Sequence, residues 1–121
     1  MGKQDNVIQQ KTYQFAIRIV KLYKYLVEKK GERVLSKQLL RSGTSIGANT
    51  EEAQGAHSKA DFISKFTIAY KEVRETKYWV RILRDTEYIT VKEADSILAD
   101  LEEILKIISK IQTSTKKSIS K

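Results

Sequence analysis

A chain of 121 residues, 40% hydrophobic and 31% charged, has the size of one domain and enough apolar material for a single core. With no cysteine it has no disulfide framework, no thiolate nucleophile and no Cys-ligated zinc or iron–sulfur site. The absence of proline, the few glycines and a net charge of +8 point to long uninterrupted helices in a protein that favours anionic partners.

The charge is uneven. Residues 1–41 carry +7, residues 42–105 carry −4 and residues 106–121 carry +5, so both ends are basic around an acidic middle. The first residues lack an apolar core of signal-peptide length, and no apolar run approaches the roughly 18 residues that cross a bilayer. A cytoplasmic protein without membrane contact is expected.

In chain order, the first predicted helix covers about residues 7–30. Ile8, Thr12, Phe15, Ile19, Leu22 and Leu26 recur at steps of four and three, the stripe one helix buries against a neighbour. A second stripe, Tyr13, Ala16, Val20, Tyr23 and Val27, widens the apolar arc to about half the circumference, more than the roughly 100° one core face needs. Gly31 is the expected C′ residue.

The second helix, about residues 32–56, keeps the period along Leu35, Leu39, Ser42, Ile46, Asn49 and Ala53. Its centre combines Ser42, Gly43, Thr44, Ser45 and Gly47, poor helix-interior residues. They predict a kink, a close helix approach or a restart with Thr44 or Ser45 as N-cap.

Ser58 with Asp61 opens a third helix, about residues 59–86, on the seam Phe62, Phe66, Ala69, Val73, Thr76, Val80 and Leu83. Thr90 with Glu93 forms a capping box for the fourth, about residues 91–112, with Ile89 and Ala94 as hydrophobic staple. Residues 113–121 are expected to be a basic flexible tail after a single domain over 1–112. Loops this short join antiparallel neighbours, so the expected architecture is an all-α, up-down-up-down four-helix bundle with a kinked second helix.

Ile68, Trp79 and Ile82 share a face of the third helix away from its seam. Either the Trp closes one end of the bundle, or the face packs on another subunit; the broad apolar arc of the first helix favours a homo-oligomer.

The sequence from Leu40 to Asn49, followed by Glu51, Glu52 and Ala53, resembles the signature of the four-helix bundle proteins encoded in 23S rRNA intervening sequences. In that family an Arg, a Ser-Ile pair, an Asn and a Glu recur in the second helix, here Arg41, Ser45, Ile46, Asn49 and Glu52. The similarity extends from about Lys11 to Ile111; Gly47 stands where many members have proline, and Ala53 where many have glycine. Accessory variability proteins of diversity-generating retroelements share the fold. The resemblance implies a bacterial, non-enzymatic, pentameric protein whose relatives bind nucleic acid and a reverse transcriptase through a basic surface.

The residues offer a matching surface. Lys11, Arg18, Lys21, Tyr25 and Lys29 share one face of the first helix, and Lys116 and Lys117 add basic charge at the C-terminal end. Lysine and arginine neutralise phosphates, and an interleaved tyrosine stacks on an unpaired base. The bland reading is a solvated polar face. Tyr70, Arg74, Tyr78 and Arg81 on the third helix offer a second stripe with the same ambiguity. Arg41, Ser45 and Asn49, at i, i+4 and i+8, serve either recognition or helix structure, with Arg41 paired to a carboxylate.

The enzymatic alternative is a Mg²⁺ site between Glu72/Glu75 and Asp100/Glu102/Glu103. Lys71, four residues before Glu75, makes an ordinary salt bridge the simpler expectation. His57 has no second His or Cys partner and is expected in a loop, capping a helix end. No phosphate-binding glycine loop occurs. The expectation is a protein with no catalytic residue, metal or cofactor that binds RNA or DNA backbone; the alternative is a scaffold whose basic face meets an acidic protein.

Overall fold

The computed structural model describes residues 3–120, and the side chains of residues 7–118. Four helices follow one another: α1 (Lys3–Lys30), α2 (Leu35–Ala53), α3 (Lys59–Asp85) and α4 (Val91–Ser120). Contacts at matched heights fix their directions. Thr12 meets Thr50 while Gly43 lies on Ile19, so α1 and α2 run antiparallel. Arg41 reaches Glu75 while Glu52 reaches Lys65, Thr67 bonds Gln112 while Lys77 bonds Glu102, and Lys11 pairs with Glu103 while Arg18 pairs with Asp100. Each helix therefore neighbours the next in sequence, and α4 returns to α1.

The seams read from periodicity form the core. Ile8, Phe15, Ile19, Leu22 and Leu26 of α1 are buried against Leu39 and Ile46 of α2, Phe66, Val73 and Val80 of α3, and Leu101, Ile104 and Ile108 of α4. Each such side chain contributes about 1.5–3 kcal/mol relative to exposure.

Local signals set most helix ends. Gly31, at φ +66°, lets the chain turn so that Glu32 N–H bonds the Leu26 carbonyl at 3.0 Å. Ser58 Oγ accepts the Asp61 N–H at 3.0 Å. Thr90 Oγ1 accepts from Glu93 N–H at 3.1 Å while Glu93 Oε1 accepts from Thr90 N–H at 3.3 Å, a reciprocal box over the buried pair Ile89 and Ala94.

Four boundaries differ from the sequence expectation by three residues or more, the first being the end of α2, at Ala53 rather than residue 56. α1 begins at Lys3, earlier than residue 7. α2 begins at Leu35, not residue 32, because the Glu32 carboxylate folds back and accepts from Val34, Leu35 and Ser36 N–H at 3.0, 2.8 and 2.7 Å. A residue that caps the first turn with its own side chain lies outside that turn. α4 does not stop at Gln112; it continues to Ser120, so the expected tail is helical there, with Lys59 Nζ bonded to Ser118 Oγ. Lys121 lies outside the described residues.

Helix α2 does not restart at Thr44 or Ser45 and is helical throughout residues 35–53. The hydroxyls of Thr44 and Ser45 donate to the carbonyls of Leu40 and Arg41 at 2.7 and 2.6 Å without interrupting it. The glycines serve close approach. A Cβ on Gly43 would lie 2.9 Å from Ile19 Cγ1 and Cγ2, and one on Gly47 would lie 3.3 Å from the Thr12 carbonyl oxygen. On the other flank the buried Ser42 accepts from Thr76 Oγ1 at 2.9 Å, joining α2 to α3.

Candidate nucleic-acid interface

The expected basic face of α1 is divided by its neighbour. Lys11 is ion-paired with Glu103, and Arg18 reaches Asp100 Oδ2 at 2.8 Å and Ser96 Oγ at 2.9 Å. A groove of about 450 Å³ between α1 and α4 is lined by these four charged residues with Gln10, Gln14, Phe15 and Ile104. Cations and carboxylates face one another along it, so this half of the stripe presents little net field to a polyanion.

Beyond the groove, Lys21 and Lys29 are exposed and have no ion-pair partner among the described residues. Tyr25, 39% exposed, stands between them on the same face, with Lys30 Nζ 6.0 Å from its ring centroid. Lys24, Arg33 and Lys37 extend this cationic end. Lys116 and Lys117 do not join it. They lie in the last turns of α4, at the opposite end of the bundle, about 40 Å away at 1.5 Å per residue along α1.

The Arg41 group is structural in its contacts. Arg41 Nη2 bonds Glu75 Oε2, Arg41 Nη1 lies 3.6 Å from Glu72, and Trp79 Nε1 donates to the same Glu75 oxygen at 3.0 Å. Asn49 Nδ2 donates to the Ser45 carbonyl at 2.8 Å, Ile46 is fully buried, and Glu52 lies 3.8 Å from Lys65. Glu75 thus turns to α2 and leaves Lys71 without the expected pairing.

The carboxylates proposed as a metal-site alternative are dispersed. Glu72 and Glu75 face Arg41, Glu102 faces Lys77, and Asp100 and Glu103 face α1. The hydrogen bond from Lys77 holds the Glu102 carboxyl below its usual range. Among the described residues no three His, Cys, Asp or Glu side chains converge to hold a metal ion. His57 lies in the α2–α3 connection with Nδ1 3.3 Å from Asp61 Oδ2, so it faces the first turn of α3 rather than capping α2. No described helix is long and apolar enough to cross a membrane.

The second apolar face is graded. Ile68 is 42% exposed, whereas Trp79 and Ile82 are half-buried, Trp79 against the core with its ring edge-on to Tyr78 at 5.1 Å. On the far side of α2, Tyr13 is 64% exposed beside a shallow groove lined by Ala16, Thr44, Gly47 and Ala48.

Sequence reasoning missed the partition of α1 by α4. The signal was present: Lys11 and Arg18 stand two turns apart, and Asp100 and Glu103 stand one turn apart on the helix that closes the bundle.

A crystal structure at 1.70 Å resolution of a protein of unknown function from the S23 ribosomal protein family of Bacteroides thetaiotaomicron is 54% identical to this chain. The match covers 91% of this chain and 98% of that one, with a TM-score of 0.90. No curated protein matches the chain. The family described as 23S rRNA-intervening sequence protein matches residues 4–110. By that match the four-helix chain belongs to the 23S rRNA-intervening sequence protein family.

Proposed function

We propose that this protein is a non-enzymatic, homo-oligomeric bundle that binds nucleic acid through its cationic surface. The observation that carries the reading is the distribution of charge after pairing. Carboxylates on α3 and α4 are engaged by Arg18, Arg41, Lys77 and Lys11, while Lys21, Lys24, Lys29, Arg33 and Lys37 remain exposed and unpaired among the described residues. Exposed cations attract phosphates and release condensed counterions on contact. Backbone and shape are what such a surface reads, since lysines on a helix flank supply charge without base-specific geometry.

Oligomerisation is supported by the exposed Tyr13 and Ile68 on either side of α2. Two different apolar patches on one molecule suit head-to-tail contacts that close into a ring. The family resemblance implies five subunits, each adding its cations to the whole.

The test is binding of a labelled, mixed-sequence single-stranded RNA of about 30 nucleotides, and of the matching DNA, as salt is raised. A steep linear fall of log K with log salt, about 0.7 per phosphate neutralised, is expected. No retention of either strand at about 50 mM salt, where such contacts are strongest, overturns the reading and favours the scaffold for an acidic protein.

A further inference from the structure

We infer that the pocket between the end of α1 and the α3–α4 turn seats one unpaired guanine of the bound nucleic acid, stacked on Tyr25 and held at its edge by the Glu87 carboxylate; this rests on the nucleic-acid reading above. The pocket measures about 420 Å³, within the range of about 300–1,000 Å³ usual for small-molecule sites. Tyr25, Tyr88, Ile89 and Val91 give it apolar walls, and Tyr25 and Val91 are open to solvent. Lys30 Nζ lies 6.0 Å from the Tyr25 ring centroid. A base that stacks on this ring moves the flexible ammonium aside, toward the nucleotide's own phosphate. Lys21 and Lys29, one turn to either side of Tyr25, are exposed and unpaired among the described residues and supply charge for the neighbouring phosphates.

Of the carboxylates that line the pocket, two are engaged. Asp85 Oδ1 accepts from Arg84 Nε at 2.7 Å, and Glu93 Oε1 accepts from Thr90 N–H and Thr90 Oγ1 at 3.3 and 3.2 Å. Glu87 is exposed, and its carboxylate has no partner among the described residues. Glu28, one turn along α1 from Tyr25, does not line the pocket. Glu87 is also the one non-glycine residue at positive φ among the described residues, at +67°. It closes α3 as Gly31 closes α1, with Glu87 N–H on the Arg84 carbonyl at 3.1 Å and Tyr88 N–H on the Leu83 carbonyl at 2.9 Å. Glycine adopts this conformation without a Cβ clash, so glutamate here gives up stability that glycine would keep. A side chain that its turn disfavours, left unpaired on the lining of a pocket, is available to a ligand. An ionised carboxylate only accepts hydrogen bonds. Guanine is the base whose Watson–Crick edge offers two adjacent donors, N1–H and the N2 amine, one for each oxygen; the uracil N3–H is flanked by two carbonyls that repel an anion. In a duplex that edge is already paired, so the matching ligand is a single strand or an open loop.

Oligonucleotides of equal charge test the pocket, because the phosphate contribution then cancels from the comparison. At about 50 mM salt, a uridine decamer with one central guanosine is expected to bind about tenfold tighter than the all-uridine decamer. Inosine at the same position, which lacks the N2 amine, should fall between them. Glu87→Gln is expected to reduce the preference for guanosine below about twofold. Glu87→Gly should do the same while raising the thermal unfolding midpoint, because it relieves the left-handed residue. Tyr25→Ala is expected to weaken binding of the guanosine decamer about tenfold. Equal affinity for the guanosine and uridine decamers, a preference that survives Glu87→Gln, or a lowered midpoint for Glu87→Gly overturns the pocket while leaving nucleic-acid binding intact. Failure of the unsubstituted protein to bind RNA or DNA of any length at this salt instead removes the reading on which the pocket rests.

Discussion

Glu32 shows how much one side chain decides at the start of α2. Burial pushes its carboxyl pKa up, but the N–H groups of Leu35, Ser36 and Val34 more than offset this and hold it below the usual range. A carboxylate with a lowered folded-state pKa adds stability that is complete above the ordinary glutamate value of about 4.3. That stability is lost as pH falls through the lower folded value. Glu32→Gln is therefore expected to lower stability at neutral pH by about 1–2 kcal/mol, the range for loss of a helix cap. The difference from the unsubstituted protein should vanish in acid; denaturant unfolding at several pH values checks this, and a pH-independent deficit contradicts it. In the sequence Glu32 stands only as the expected start of the second helix. Only the turn at Gly31 brings its carboxylate onto three backbone donors.

At the scale of elements, α2 is the helix whose composition least resembles a helix and whose packing explains why. Glycine at Gly43 costs about 1 kcal/mol of helix propensity relative to alanine, yet an alanine Cβ would meet Ile19 at 2.9 Å. Ile19 branches at Cβ, so its contacting carbons cannot swing aside as a flexible side-chain end would. Gly43→Ala is expected to destabilise the protein by about 1–3 kcal/mol despite the gain in propensity. Combining it with Ile19→Ala should cost less than the sum of the two single changes, because the clash and the cavity cancel in part. Additive costs in thermal or denaturant unfolding would place the strain elsewhere. Four helices, their antiparallel order and their apolar seams were legible because 3.6-residue periodicity is a local property of the chain. The role of Gly43 and Gly47 stayed open among kink, restart and close approach, since only the neighbouring helix shows what occupies the missing Cβ positions.

At the scale of the whole molecule, the two flanks of α2 present apolar side chains that the isolated bundle does not cover. A mass near five times that of the chain is expected by light scattering at micromolar concentration. Ile68→Glu, which places a charge on the exposed part of the α3 patch, is expected to reduce that mass while leaving the helical circular dichroism unchanged. A monomer for the unsubstituted protein at this concentration removes the oligomer from the proposal. A Lys21→Glu, Lys29→Glu variant that retains the assembly mass but loses RNA would separate binding from assembly.

The sequence by itself determined the number of helices, their caps at Ser58 and Thr90, the buried stripes and the basic charge of the two ends. Each of these depends on spacing within a helix or on residues three or four apart. Tertiary structure alone decided which cations remain available. Charge at Lys11 and Arg18 is cancelled by Glu103 and Asp100, roughly ninety residues away in sequence but adjacent across the α1–α4 groove, while Lys21, Lys29 and Lys37 meet no such partner among the described residues. A local pattern shows that a helix face is cationic; the neighbouring helix decides whether that charge faces an acid or the solvent.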